Sequence, residues 1–364
     1  MKNLKLRLFS FYIPLFIIMI LSILNLYKIH YLNPTNNLYI KQNIWYLIFI
    51  SIILIFQKIN LNKLFKWSHY IYIINVILLI LVLFVGKETN GARAWFKIGK
   101  LAFQPSELMK FSLSLIVANI SSKTKLTSCK KEFLLILKIL FITLIPSVLV
   151  FLEPDTGAII FYLIISFSIL YSVNIHKKWF FLLSVLIILF LILFGYLFHY
   201  NQDLLLNLLG TSIFYRIDRL INFKSNIGYQ LNNALTVIGS AKLFTFNFDN
   251  SLYIPESATD FIFAFSTGNF GIIISIIIII LYISIIIFLI NQYFINKNKK
   301  IKLFLISFIN MFIFNVIINI LMNIGLFPII GIPLPFFSYG GSTIVIYALY
   351  LGMIVKIIKN GINT

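Results

Sequence analysis

Two charged residues, Glu107 and Lys110, stand three positions apart in Gln104-Pro105-Ser106-Glu107-Leu108-Met109-Lys110, at the head of an apolar run. Pro105 suits the first turn of a helix, where its missing N–H costs nothing. A spacing of three places both charges on one helical face, where they can pair. Charges inside such a run are costly and need a reason. The spacing fits both a pair that only fixes helix packing and a pair that meets a substrate. Further along, Pro255-Glu256-Ser257-Ala258-Thr259-Asp260-Phe261-Ile262-Phe263 closes a polar stretch and opens another apolar run. Thr or Asp in that place reads first as a helix N-cap. The sharper reading of Asp260 is a carboxylate poised as a general base at a membrane face.

Cations and exposed backbone supply the other candidates. Arg93 lies in Gly91-Ala92-Arg93-Ala94-Trp95-Phe96, followed by Lys97 and Lys100, and Arg216 and Arg219 lie in Tyr215-Arg216-Ile217-Asp218-Arg219. An aromatic flanked by cations commonly anchors a helix end in the interfacial belt. The alternative is a basic mouth for an anionic head group, because a guanidinium matches phosphate bidentately. Asp218 could also simply neutralise its two neighbours. Pro333-Leu334-Pro335-Phe336-Phe337-Ser338-Tyr339-Gly340-Gly341-Ser342 precludes a regular helix. Its backbone must therefore be satisfied inside the protein or face a cavity, and successive N–H groups near Gly340 and Gly341 could form an anion nest.

The remaining chemistry is excluded by pattern. His30, His69, His176 and His199 are scattered and match no metal-ligand spacing. There is no GxxxxGK[ST], GxSxG or HExxH sequence, so ATP-driven and common hydrolytic chemistries lack support. A single cysteine, Cys129, excludes a disulfide framework.

The elements that must position these residues are membrane helices. Of 364 residues 60% are hydrophobic and only 11% are charged, against roughly 25% charged in a soluble domain. Continuous rather than alternating apolar runs favour helices over a barrel. They fall near 9–27, 43–57, 69–86, 105–122, 133–151, 156–173, 179–197, 261–290, 303–324 and 342–357. That predicts an all-α polytopic protein of ten spans, read as one domain over 1–364, with a large outer loop at 198–260. The net charge of +20 reads as orientation by basic inner loops, not as nucleic-acid binding. Most of the 30 basic residues fall on the side of the N-terminus, and all acidic residues but Glu107 and Glu132 fall opposite. The expectation is therefore both termini inside.

Taken in order, GARAW, FQPSELMK, EPDTG at Glu153 to Gly157, YRIDR, GYQL, PESATDFIF and GLFPIIGIPLPFFSYGGS resemble the SEDS family of RodA and FtsW. The resemblance covers nearly the whole chain. QPSE, GIPLPF and the lack of a long N-terminal tail look more like RodA. It implies a peptidoglycan glycosyltransferase that polymerises lipid II at the outer face of the bacterial cytoplasmic membrane. It also implies a class B penicillin-binding protein as the crosslinking partner. It makes Asp260 the essential aspartate, and it makes Glu107 and Lys110 substrate-binding. Arg93, Arg216, Ser338, Gly340 and Gly341 are the further substrate contacts expected. A divalent cation, Mg or Mn, could help neutralise the pyrophosphate, though no ligand cluster specifies one.

The chain also departs from the family pattern. Ala258 stands where members commonly have His, and Gly268-Asn269 stand where they have an acidic pair. Gly239-Ser240-Ala241-Lys242-Leu243 is a reduced form of a Gly-rich stretch. These departures surround the expected site and predict a slower enzyme. Two rival functions share the sequence features, a lipid II flippase and a non-catalytic scaffold of the elongation or division complex.

Overall fold

The computed structural model describes every residue except 1, 35–36, 90–91, 99–100, 154, 211–213, 215–216, 219–220, 223–227, 246–253 and 361–364. Its helices are α1 (Lys2–Leu32), α2 (Leu38–Phe56), α3 (Leu61–Lys66), α4 (Ser68–Val85), α5 (Pro105–Lys123), α6 (Cys129–Leu152) and α7 (Thr156–Ser172). They continue as α8 (Lys177–Tyr200), α9 (Gln202–Leu209), α10 (Tyr229–Gly239), α11 (Ile262–Phe270), α12 (Ile272–Ile295), α13 (Lys299–Asn323) and α14 (Gly341–Asn360). Among the described residues eight helices are long and apolar enough to cross a membrane. The two other expected spans are occupied by α5, which carries Glu107 and Lys110, and by α7, a shorter apolar helix of 17 residues. Both lie at the centre. There the neighbours are protein rather than lipid, and the demand for a long, uniformly apolar helix is relaxed.

The central helix is α5, which packs against α4, α6, α7, α13 and α14. Its buried positions run almost without a break from Pro105 to Ser121, so the serines and Asn119 on it must find partners. Ser114 Oγ pairs with Tyr350 Oη at 2.6 Å, and Asn119 Nδ2 donates to Phe65 O at 2.9 Å. In a bundle whose surroundings are as apolar as its side chains, such bonds and close packing do the work of association. At the periphery α8 leaves its surface exposed. It is tied down at its start, where Glu132 accepts from His176 N–H at 3.2 Å and Trp179 Nε1 at 3.0 Å.

Two features depart from the plain helical expectation. Residues between α4 and α5 form a three-stranded antiparallel sheet, β1 (Lys87–Thr89), β2 (Ala92–Ile98) and β3 (Leu101–Phe103). Its register pairs Lys87 with Trp95 and Phe96 with Phe103. The expected eighth span at 261–290 is also broken. Gly271 adopts φ +92° between α11 and α12, backed against the Lys242 and Leu243 carbonyls, where a Cβ would collide. Those carbonyls accept from Ile272 N–H at 3.0 Å and Ile273 N–H at 3.3 Å, so the break leaves no orphaned donor there. Part of the outer stretch 198–260 is helical, as α9 and α10.

Candidate functional site

The segment from Pro333 to Gly340 is irregular backbone inside a helical bundle, and the spans around it supply its hydrogen bonds. Tyr282 Oη donates to Pro335 O at 2.5 Å, Tyr46 Oη to Phe336 O at 2.7 Å and Ser22 Oγ to Phe337 O at 2.6 Å. Gln42 Nε2 donates to Ser338 O at 3.2 Å. Four consecutive carbonyls are thus matched by side chains, the condition for non-helical backbone at this depth. Phe336 holds φ +60°, an uncommon conformation for a bulky residue that this packing over-determines.

That scaffold carries the turn of Asp260. Ser338 Oγ donates to Thr259 O at 2.6 Å and receives Leu334 N–H at 2.7 Å, while Tyr339 N–H donates to Ala258 O at 2.8 Å. From below, Asn319 Nδ2 and Asn323 Nδ2 on α13 donate to Asp260 O at 3.0 and 2.9 Å. Asp260 is therefore held through its backbone, which frees the carboxyl. Asp260 gives α11 no side-chain cap. Burial first, and then the charge of Glu256, push the Asp260 carboxyl up to about 7. Gly331, at φ +70°, lies where an added Cβ would stand 3.8 Å from Asp260 Oδ2.

Across from it, the start of α5 presents the charge pair. Lys110 Nζ lies 2.5 Å from Glu107 Oε1 and 4.5 Å from the centroid of the Phe161 ring. Both side chains are buried. Asp155 fixes this end of α5. Its Oδ2 accepts from Gln104 Nε2 at 2.8 Å and Ser106 Oγ at 3.0 Å, and its Oδ1 caps α7 through Ala158 N–H at 3.2 Å. Beside it, Glu153 is fully buried and neither carboxyl oxygen has a partner among the described residues. Desolvation, with the Asp155 charge adding to it, raises Glu153 to about 8.

Asp260, Glu107, Lys110 and Asp155 line one cavity of about 310 Å³, together with Trp95, Gln104, Asn315, Tyr339, Gly340 and Thr343. The structure therefore brings Asp260, Glu107, Lys110 and Gly340 to the same space. It places Ser338 behind the wall, bonded into the turn it supports. Gly341 sits at the start of α14 so close to the Trp45 ring that a Cβ would collide. Arg93 is exposed on β2. Strand alternation puts it on the side of Trp95, as it does Lys97. Arg216 lies outside the described residues. Sequence reasoning quoted Asp155 and Gln104 within their motifs without giving them roles, and it passed over Asn315 and Thr343.

Ala258 contributes backbone to the turn, as its bond from Tyr339 shows. Gly268 lies against Val237 of α10, whose side chain occupies the space a Cβ would need, and Asn269 turns its amide to Phe265 O at 2.8 Å. Packing against Val237 thus leaves no room for a side chain at position 268. Among the described residues no three of His, Cys, Asp and Glu come together to hold a metal ion. Asp155, a carboxylate of the cavity, already has Oδ2 shared between two donors.

Comparison with known proteins follows the same outline. The profile of the FtsW/RodA/SpoVE family, described as cell cycle proteins, matches residues 2–361. The chain is 34% identical to a probable peptidoglycan glycosyltransferase FtsW of Wigglesworthia glossinidia brevipalpis, over 87% of this chain and 82% of that one. It is 28% identical to the peptidoglycan glycosyltransferase MrdB of Helicobacter pylori strain J99, over 96% and 88%. Its fold matches a chain of a peptidoglycan synthase complex studied for the coordination of polymerization and crosslinking. The TM-score is 0.80 at 23% identity, covering 97% of this chain and 98% of that chain.

Proposed function

Because the chain belongs to the FtsW/RodA/SpoVE family, we propose that it is a peptidoglycan glycosyltransferase of the bacterial inner membrane that polymerises lipid II at the outer face. The observation that carries this reading is the single cavity joining the Asp260 carboxyl to the Glu107–Lys110 pair. In the reaction a sugar hydroxyl of one lipid II attacks the anomeric carbon of a second chain. The bond from that carbon to the pyrophosphate oxygen breaks, and undecaprenyl pyrophosphate leaves with the electron pair. Asp260 takes the hydroxyl proton, a task suited to a carboxylate raised to about 7. Lys110 and the backbone at Gly340, beside the N-terminus of α14, face the developing negative charge. A single displacement inverts the anomeric centre. A divalent cation, Mg or Mn, would arrive bound to the pyrophosphate as part of the substrate, since among the described residues no carboxylates gather into a site for one.

The partner in this reading is a class B penicillin-binding protein that crosslinks the strands, in keeping with the synthase complex whose fold the chain matches. The test is purified full chain with labelled lipid II, assayed with and without that transpeptidase. Glycan polymer that requires Asp260 supports the reading. Lipid II moved between leaflets without polymer would instead make the protein a flippase. Neither polymer nor movement, with the transpeptidase still bound, would make it a scaffold.

A further inference from the structure

α13 carries three asparagines at a spacing of four, Asn315, Asn319 and Asn323, so they stack along one helical face. The upper two are fully engaged. Asn319 Nδ2 donates to Asp260 O and to Ile332 O at 2.7 Å, and its carbonyl accepts from Asn323 Nδ2 at 3.3 Å. Asn323 Oδ1 accepts from Ala264 N–H at 2.9 Å. Asn315 differs. Its Nδ2 donates to Tyr347 Oη at 2.9 Å, but its carbonyl oxygen has no partner among the described residues. Turning the amide over does not cure this. Tyr347 Oη would then donate to the carbonyl, and the NH2 end would be left over. In either orientation one end of a 3% exposed amide is unmatched, at the full desolvation cost of a lone polar group.

Several buried amide carbonyls lack a partner among the described residues, those of Asn25, Gln42, Asn75 and Asn119 among them, but Asn315 alone of these also lines the cavity. It shares that wall with Glu107, Lys110 and Asp260. We propose that Asn315 is a substrate-recognition residue whose side-chain amide pairs with the 2-acetamido group of an N-acetylated sugar. Such a group offers both an N–H and a C=O, so it complements the free end of Asn315 in either orientation. A phosphate offers only acceptors. The proposal rests on the glycosyltransferase reading above and names one contact of the same site.

The test uses the full chain with lipid II and with a lipid II analogue bearing 2-azido in place of 2-acetamido. Asn315→Leu keeps the volume and removes both polar ends. Loss of the unmatched amide end offsets the loss of the bond to Tyr347 Oη, so its melting temperature should stay near the parent's. Its KM for lipid II should rise about tenfold, the scale of one lost hydrogen bond, with kcat changed less than threefold. The parent should bind the azido analogue about as weakly as Asn315→Leu binds lipid II, and the variant should no longer distinguish the two. Parental KM in Asn315→Leu, or undiminished preference for the acetamido substrate, overturns the proposal. So does a joint fall of kcat and melting temperature, repeated in Tyr347→Phe, which would mark a structural pair. Thermal stabilisation by lipid II separates the layers: a parent that neither polymerises nor is stabilised fails the underlying reading, and the Asn315 contact falls with it. A parent that is stabilised while Asn315→Leu is not supports the contact even without turnover.

Discussion

At the scale of single residues, capping and catalysis make different demands on Asp260, and that separates them. Asn is nearly as good an N-cap as Asp, and the turn is held by its backbone carbonyl, so Asp260→Asn should fold like the parent. It cannot take a proton at neutral pH, so polymerisation should drop by about 10²–10⁴-fold. The base must be ionised to act, so the parental rate should fall as pH drops through about 7. A flat profile between pH 5 and 8 would argue against Asp260. Glu107 and Lys110 form a buried pair, and removing one partner typically costs ~3–5 kcal/mol. Glu107→Ala or Lys110→Ala should lower folded yield, and the swapped double variant should recover part of it. Glu153 gives a stability signature of opposite pH sense to most carboxylates. Its folded value, about 8, lies above the ordinary 4.5, so its contribution is full below pH 4.5 and is lost as pH rises through 8. Glu153→Gln, which cannot ionise, should melt like the parent at acid pH and above it at pH 9. Charge and spacing made Glu107, Lys110 and Asp260 legible in the sequence. Asp155 and Asn315 were not, because an Asp before a helix reads as a cap, and the spacing of four that joins Asn315 to Asn319 and Asn323 marks a helical face without showing which of the three meets a cavity.

At the scale of elements, the helical runs were readable because apolar length is set by the bilayer. The sheet between α4 and α5 was not. Its strands of three, seven and three residues are too short to display alternation. The signal that could have found it is the pair of dipeptides between strands, Asn90-Gly91 and Gly99-Lys100, whose composition suits hairpins. The break at Gly271 was also hidden, since apolar residues continue on both sides and only the lone glycine marks it. What the sequence could not reveal is how the Asp260 turn is carried, because its supports come from α13 and from residues 334 to 339, both more than fifty positions away. Asn319→Leu tests that support. It removes one of the two donors to Asp260 O, which keeps Asn323, and strips the side-chain donor from Ile332 O, for which ~1–3 kcal/mol is expected as a buried acceptor left alone. The melting temperature should fall, and the polymerisation rate should fall further than Asn323→Leu or any surface change on α13 would cause. Unchanged melting and turnover would mean that the turn holds itself.

At the scale of the whole molecule, every functional assignment depends on which side of the membrane the cavity opens. The cavity is capped by β2 through Trp95 and lies at the ends of α5 and α7 that carry Gln104 and Asp155. The same face bears α9 and α10 in the connection from α8 to α11. Basic residues gather at the other ends of the helices, at Lys58, Lys63 and Lys66, at Lys123 to Lys131, and at Lys297 to Lys302. Short loops rich in Lys remain in the cytoplasm, so the cavity is expected to face outward, the side that the proposed polymerisation of lipid II requires. The cavity side itself carries Arg93 and Lys97, against the usual rule. That exception is acceptable if those cations serve an anionic substrate rather than orientation. Labelling decides it directly. In a Cys129→Ser background, Asn232→Cys on α10 and Lys299→Cys at the start of α13 are both exposed. A membrane-impermeant maleimide added to intact spheroplasts should modify Asn232→Cys at once and Lys299→Cys only after lysis. The reverse pattern would place Asp260 in the cytoplasm, where no growing glycan strand could reach it, and would remove the basis for the catalytic reading.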